Sequence, residues 1–199
     1  MSEKIASIER QIFELTRELN QLRSQSEGEE VRNYSFETLN GPVTLLDLFG
    51  KRDTLLVIHN MGQGCRYCTL WADGLNGFVP HLESTMALAL VSKDAPDVQR
   101  RFANSRGWRF NLASHGGGDY IQEQTVMDGS NNAPGAVVYE RNGDAIYRKN
   151  ACVFGPGDLY CPMWILLGMA GRGEKDWTPQ YRYWLGPQQM DDGGQNLAE

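Results

Sequence analysis

The stretch that most constrains this chain runs from Thr54 to Asp73. Thr54-Leu55-Leu56-Val57-Ile58-His59 is a nearly continuous apolar run, which predicts a central strand buried on both faces. Asn60-Met61-Gly62-Gln63-Gly64 then makes a glycine-containing turn. Cys65-Arg66-Tyr67-Cys68 opens a segment, continued by Thr69-Leu70-Trp71-Ala72-Asp73, that can proceed as a helix. A buried strand feeding a helix through a short turn points to an α/β architecture. It also leaves two cysteines three residues apart on one helix face, where Cα atoms about 5–6 Å apart permit a disulfide.

The flanking sequence fits that centre. Met86–Val91 reads as a second buried strand and Trp108–Ala113 as a third. Between them Pro96 occupies the first turn of a helix that runs to about Arg106, with Gly107 past its end and Val98, Phe102 and Ala103 as its buried face. The helix after Cys65 is expected to run to about Gly77 and to resume toward Glu83 beyond Pro80. Tyr34–Leu39 and Val43–Leu45 flank Asn40-Gly41, a hairpin signal, and Leu46–Phe49 is a brief helical turn stopped by Gly50. Ala136–Glu140 and Ala145–Lys149 flank Asn142-Gly143, the clearest hairpin in the chain. Pro162–Ala170 is an apolar helix, and Trp177, Tyr181, Tyr183 and Trp184 form an aromatic patch over the core. Successive strand–helix–strand units imply parallel pairs with right-handed crossovers, so the expected fold is a mixed sheet with helices on both faces.

At the N-terminus, Ile5, Ile8, Ile12, Leu15, Leu19 and Leu22 recur with alternating spacings of three and four, an apolar seam along one helix. Two readings stand: an amphipathic helix folded against its own domain, or an arm that pairs two copies in a homodimer. Ser24–Glu30 reads as a polar linker that ends it. The chain therefore divides into a helix over 1–26, a domain over 31–186 and a mobile tail over 187–199.

Composition narrows the partners. The 199 residues carry a net charge of −6, which argues against nucleic acid or an anionic membrane surface as the main partner. No apolar run approaches the ~20 residues of a membrane span, and the spaced apolar residues at the N-terminus do not make a signal peptide. A cytoplasmic location is expected, where the four cysteines are reduced, catalytic or metal-bound rather than structural disulfides. Gly116-Gly117-Gly118 has no following lysine and no phosphate-loop spacing, so it is read as a flexible connection.

With these residues in view, the chain resembles the thioredoxin-like superfamily. In that superfamily a Cys-x-x-Cys follows a buried strand, opens a helix, and lies against a cis-proline that precedes the last hairpin. Ala133-Pro134-Gly135-Ala136-Val137-Val138-Tyr139 followed by Asn142-Gly143 is similar to that proline–strand–turn element. Within the superfamily, residues 5–185 are most similar to a bacterial family of uncharacterised predicted dithiol–disulfide oxidoreductases, whose first half resembles peroxiredoxins of the alkyl hydroperoxide reductase type. Tyr34-Ser35-Phe36, Val43–Phe49, Trp71-Ala72-Asp73, Gly107–Phe110 and Asp119-Tyr120 carry that likeness. Peroxiredoxins place a Pro and a Thr or Ser shortly before their peroxidatic cysteine; Met61-Gly62-Gln63-Gly64 stands there instead.

The residue chemistry fits thiol–disulfide exchange. A thiolate is the nucleophile, and the free N–H groups at a helix N-terminus stabilise the anion. Cys65, the more exposed of the pair, is expected to attack, with Arg66 adding positive charge; Cys68 is expected to resolve the mixed disulfide. Gly64, Arg66, Tyr67, Ala133 and Pro134 are the expected substrate contacts, the glycine because it lets a substrate backbone approach and Ala133 through its backbone. No metal or organic cofactor is required. Other readings remain open: a peroxidase through a Cys65 sulfenic acid, a non-catalytic scaffold, or a zinc site completed by Cys152 and Cys161. The eight-residue gap between those two is unusual for zinc ligands, and they read better as buried packing thiols. His59 is read as a tuner of Cys65 or as a core histidine, and His81 and His115 as surface or loop residues. Asp73 is read as a solvated carboxylate ahead of a proton-transfer partner for Cys68, and Trp71 and Trp108 as core ahead of substrate-stacking residues.

Overall fold

The apolar run 54–59 is a strand, and the sheet extends outward from it on both sides. The computed structural model describes residues 2–183. In chain order the elements are α1 (Glu3–Ser24), β1 (Glu29–Val31), β2 (Ser35–Thr38), β3 (Gly41–Thr44), α2 (Leu45–Leu48), β4 (Thr54–His59), α3 (Arg66–Asn76) and α4 (Val79–Glu83). They continue with β5 (Ala87–Ser92), α5 (Pro96–Arg106), β6 (Asn111–Ser114), α6 (Asp119–Glu123), β7 (Gly135–Asn142), β8 (Ala145–Val153) and α7 (Pro162–Met169). The eight strands form one sheet in the order β1-β8-β7-β4-β5-β6-β2-β3. β4, β5 and β6 are parallel, and the hairpins on either side add antiparallel strands.

Side chains alternate across the sheet and build a core on each face. Leu55 and Val57 of β4, with Ala89 and Val91 of β5, face α2 and α6, where Leu48, Phe49, Tyr120 and Ile121 are buried. Ile58, Leu88 and Leu90 face the other way, onto Trp71 and Ala72 of α3, Ala103 of α5 and Trp164 of α7. The expected mixed sheet with helices on both faces is therefore present, and it has a thioredoxin-like topology.

Several local expectations change. The linker after α1 is partly a strand: Glu29–Val31 pairs with Ile146–Arg148 of β8 and closes that edge of the sheet. The third parallel strand begins at Asn111, not Trp108. The backbone N–H of Arg109 donates to Asn76 Oδ1 at 2.8 Å, and Asn76 Nδ2 donates to the Gly107 carbonyl at 3.1 Å, so this stretch is tied to the end of α3 before it can join the sheet. On α5 the buried polar position is Gln99, while Val98 is only half-buried. Gln99 Nε2 donates to Ser92 Oγ at 2.7 Å and to the Ala113 carbonyl at 3.0 Å, which ties the helix to the ends of two strands. Asp119–Glu123, beyond the glycine-rich loop, is a helical turn with no sequence signal strong enough to predict it. Helix α1 buries none of its residues, so the reading in which it folds against its own domain fails. Trp184 and the expected tail lie outside the described residues.

Gly135 shows how tightly the proline–strand element is fitted. It pairs with His59 across β4 and β7 and with Val153 across β7 and β8. A Cβ built there collides with the Cys152 carbonyl oxygen and comes within 2.8 Å of Val126 Cγ2. Because the first obstacle is backbone, Gly135→Ala is expected to destabilise the protein by about 1–3 kcal/mol or more, the range for overpacked cores. Urea unfolding of the two proteins measures it, and equal midpoints would contradict the close fit.

Candidate functional site

The turn between β4 and α3 is held by a compact set of hydrogen bonds. The Asn60 N–H donates to the Val91 carbonyl at 2.9 Å, and Asn60 Oδ1 accepts the Gly62 N–H at 2.9 Å. Asp94 Oδ2 accepts the Gln63 N–H at 2.7 Å, and the Cys65 N–H donates to the Gly62 carbonyl at 3.0 Å. Gly62 has φ of +112°, and a Cβ there would lie 2.7 Å from an Asp94 carboxylate oxygen, so this position needs glycine on both counts. Gly64 is exposed and opens onto free space.

Cys65 is the N-cap of α3. Its Sγ accepts the Cys68 N–H at 3.0 Å, and its carbonyl accepts the Thr69 N–H at 3.0 Å. The two cysteines form a disulfide with Cα atoms 5.3 Å apart. Cys68 is 3% exposed, whereas Cys65 is half-exposed. The first turn of α3 contains no acidic side chain that would oppose a thiolate. Cys65 is thus the more exposed cysteine of the pair.

An aromatic cluster packs against α3. The Tyr67 ring stacks on Trp164 with centroids 6.3 Å apart, and Trp71 stacks on Phe154 at 6.1 Å. Asp158, which sequence reasoning missed, organises this cluster. Its carboxylate accepts hydrogen bonds from Trp71 Nε1 at 2.8 Å and from the backbone N–H groups of Gly155, Tyr160 and Cys161 at 2.9–3.0 Å. The Gly155-Pro156-Gly157-Asp158 turn was the only available signal. Tyr181 is also part of the site, because its hydroxyl donates to the Gln63 carbonyl at 3.0 Å. Trp177 meets Trp164 edge-on and Tyr181 meets Phe102 edge-on, so both cover the core, whereas Tyr183 is 47% exposed.

The proline element adjoins the same turn. Asn132 Nδ2 donates to the Met61 carbonyl at 3.4 Å, and the Pro134 carbonyl accepts the Phe154 N–H at 2.9 Å. The peptide bond preceding Pro134 is trans, as are all those among the described residues, which differs from the cis-proline that the resemblance implied. Ala133 is buried and Pro134 half-buried. Arg66 is half-buried at the first helical position of α3.

The other candidates are engaged in contacts of their own. His59 points to the sheet face opposite α3, where its Nε2 shares a hydrogen bond of 2.8 Å with the Tyr120 hydroxyl. Desolvation, followed by the nearby charges of His115 and Arg148, pushes its pKa down to about 3, so it is a neutral core histidine. His115 lies in the loop after β6 and is buried there at 7% exposure; desolvation and then Lys93 lower its pKa to about 4. His81 is exposed. Asp73 is not a solvated carboxylate: it pairs with Arg106 and accepts from Trp108 Nε1 at 2.8 Å, bracing α3 against α5. Trp71 and Trp108 are core residues. Cys152 and Cys161 are free thiols, and burial raises both pKa values. Among the described residues no group of three or more His, Cys, Asp or Glu side chains is placed to hold a metal ion. An apolar cavity of about 250 Å³ bears Cys152 on its wall, but it meets α3 at Leu75, about 15 Å along the helix from Cys65.

With this geometry established, comparison with other proteins locates the chain. The family described as "Bacterial protein of unknown function (DUF899)" matches residues 6–189. The chain belongs to this family. No curated protein matches it. Among solved structures, peroxiredoxin Q of Xanthomonas campestris superposes with a TM-score of 0.53 at 15% identity, covering 69% of this chain and 88% of that one. AhpC of Enterococcus faecalis superposes with a TM-score of 0.52 at 12% identity, covering 72% of this chain and 91% of that one. At these identities the likeness shows a shared fold: this DUF899 chain has the thioredoxin-like fold in its peroxiredoxin-like form. No described helix is long and apolar enough to cross a membrane.

Proposed function

We propose that the chain is a thiol–disulfide oxidoreductase in which Cys65 attacks and Cys68 resolves. The observation that carries this reading is the asymmetry of the pair: Cys65 caps α3 and is half-exposed, and Cys68 is buried behind it within bonding reach. In the reduced protein, the Cys65 thiolate attacks one sulfur of a substrate disulfide, forms a mixed disulfide and expels the other sulfur as a thiolate. The Cys68 thiolate then attacks Cys65 Sγ, closes the internal disulfide and releases the second substrate thiolate. The substrate gains two electrons and the pair loses two; a cellular dithiol reductant restores the pair by the reverse exchange. The two sulfurs suffice, with no cofactor. Gly64, Arg66, Tyr67, Ala133 and Pro134 are the proposed substrate contacts, and the proposed location is the cytoplasm, where such reductants act.

The peroxiredoxin-like fold favours a second reading on the same two sulfurs. Attack on a peroxide would leave Cys65 as sulfenic acid and release an alcohol or water; condensation with the Cys68 thiol would give the same disulfide and a second water. The turn Met61-Gly62-Gln63-Gly64 supplies neither the Pro nor the Thr or Ser that peroxiredoxins place before their cysteine. Mixing the reduced protein with glutathione disulfide, a peptide disulfide or an alkyl hydroperoxide, and timing closure of Cys65–Cys68, tests both. Exchange predicts closure fastest with a disulfide and ordinary thiol rates with the hydroperoxide. The opposite order would overturn it in favour of the peroxidase.

A further inference from the structure

Helix α1 spans 22 residues, or about 33 Å, and is capped by Ser2, whose Oγ accepts the Ile5 N–H. In proteins most of a helix's stability comes from packing its amphipathic face, and α1 fully buries no residue in its own domain. Its seam lies open to solvent: Ile5, Ile8, Ile12, Leu15 and Leu22 are 46–64% exposed. Among the described residues, the hydrogen bonds that tie α1 to the domain are at its C-terminal end. Arg23 donates to the Tyr160 hydroxyl at 2.7 Å, its carbonyl accepts Asn150 Nδ2 at 3.2 Å, and Ser26 Oγ donates to the Lys149 carbonyl at 2.8 Å. The helix therefore leaves the sheet at β8 as a strut with an uncovered apolar side.

We propose that this side is covered by α1 of a second copy, in a parallel, in-register, two-stranded coiled coil. The charge pattern selects both the partner and the direction. With Ile5, Ile12 and Leu19 at the a positions and Ile8, Leu15 and Leu22 at d, the g positions are Lys4, Gln11 and Glu18, and the e positions are Glu9, Thr16 and Arg23. In a parallel pair each g residue faces the e residue five places later on the other copy. This matches Lys4 with Glu9, Gln11 with Thr16 and Glu18 with Arg23: two opposite-charge pairs on each side and no like-charge pair. In the antiparallel arrangement Lys4 meets Gln25, Gln11 meets Glu18 and Glu9 meets Thr16, so every ionic match is lost. Ile at two of the three a positions and Leu at two of the three d positions favours two strands over three or four. Arg23 uses one nitrogen on Tyr160, and its planar guanidinium has further donors for Glu18 of the second copy.

The test is the mass of the full chain in solution by sedimentation velocity across a concentration series, together with two sets of variants. The wild type is expected at twice its 22.4 kDa. Ile12→Asp with Leu15→Asp is expected to weaken association at least about a hundredfold, by burying charge in the seam. Its far-ultraviolet spectrum should lose only α1 helicity, and its Cys65 alkylation rate should not change, showing that the body stays folded. Lys4→Glu and Glu9→Lys should each weaken the dimer a few-fold and restore it when combined. Ile5→Cys should give a covalent dimer through residue 5 on oxidation. A wild type of single-chain mass throughout the series, a dimer indifferent to the seam variant, a double reversal that fails to restore, or cross-linking of position 5 only to a cysteine placed at 22 would each overturn the proposal.

Discussion

Replacing Cys65 with serine is expected to abolish disulfide turnover, by at least about a thousandfold, because it removes the more exposed sulfur of the pair and leaves Cys68 with no partner sulfur at position 65. Cys68 is 3% exposed and sits one helical turn inside α3, so it cannot take over the attack. Cys68→Ser is expected to fail one step later. Cys65 can still form its mixed disulfide, but nothing behind it displaces the substrate, and an adduct heavier by one substrate thiol should accumulate. Intact-mass measurement after exposure to glutathione disulfide separates the two variants: one adduct on Cys68→Ser and none on Cys65→Ser. Cys152 and Cys161 do not confuse the result, since burial raises their pKa values and slows their reaction. An adduct on Cys65→Ser and none on Cys68→Ser would reverse the assigned roles.

The second large effect is on stability below neutral pH. His59 and His115 are held neutral in the fold, at about 3 and about 4, by desolvation above all. In the unfolded chain both titrate near the ordinary value of about 6.5. Between these limits the unfolded state binds more protons than the folded one, so stability is lost as pH falls below about 6.5. From pH 6.5 to 5 the two groups together account for roughly 2–3 kcal/mol, at up to about 1.4 kcal/mol per pH unit each. His59→Gln keeps a neutral group able to meet the Tyr120 hydroxyl and is expected to remove about half of that slope in urea titrations at pH 5, 6 and 7. A slope unchanged in both His59→Gln and His115→Gln would show that the two rings are not held neutral by burial.

The sequence was most informative where local chemistry and burial agree. The run 54–59, the Asn142-Gly143 hairpin, and the Pro96 start and Gly107 stop of α5 were legible because each signal acts within a few residues. The left-handed Gly107, at φ of +67°, is the conformation that such a stop requires. What could not be read depends on long-range partners. β1 is too short and polar to announce itself and exists because β8 offers an edge. Asp73 looks like a surface carboxylate until α5 brings Arg106 to it, and His115 looks like a loop residue until α6 brings Tyr120 over it. At the site, the two cysteines were plain from spacing. Asp158 and Tyr181 were not, because their bonds to Trp71 and to the Gln63 carbonyl cross 87 and 118 residues of chain.

The central claim is that the start of α3 makes Cys65 an acidic, reachable thiol. Alkylation of the reduced protein across pH, with each cysteine followed by peptide mass, tests it most directly. A thiolate favoured by the helix start reacts at pH values where a free thiol is almost wholly protonated, and its lower intrinsic nucleophilicity takes back only part of that gain. The account predicts that advantage at Cys65 alone, with a midpoint well below 8.5. A midpoint near 8.5, or equal rates at Cys65 and Cys152, would contradict it.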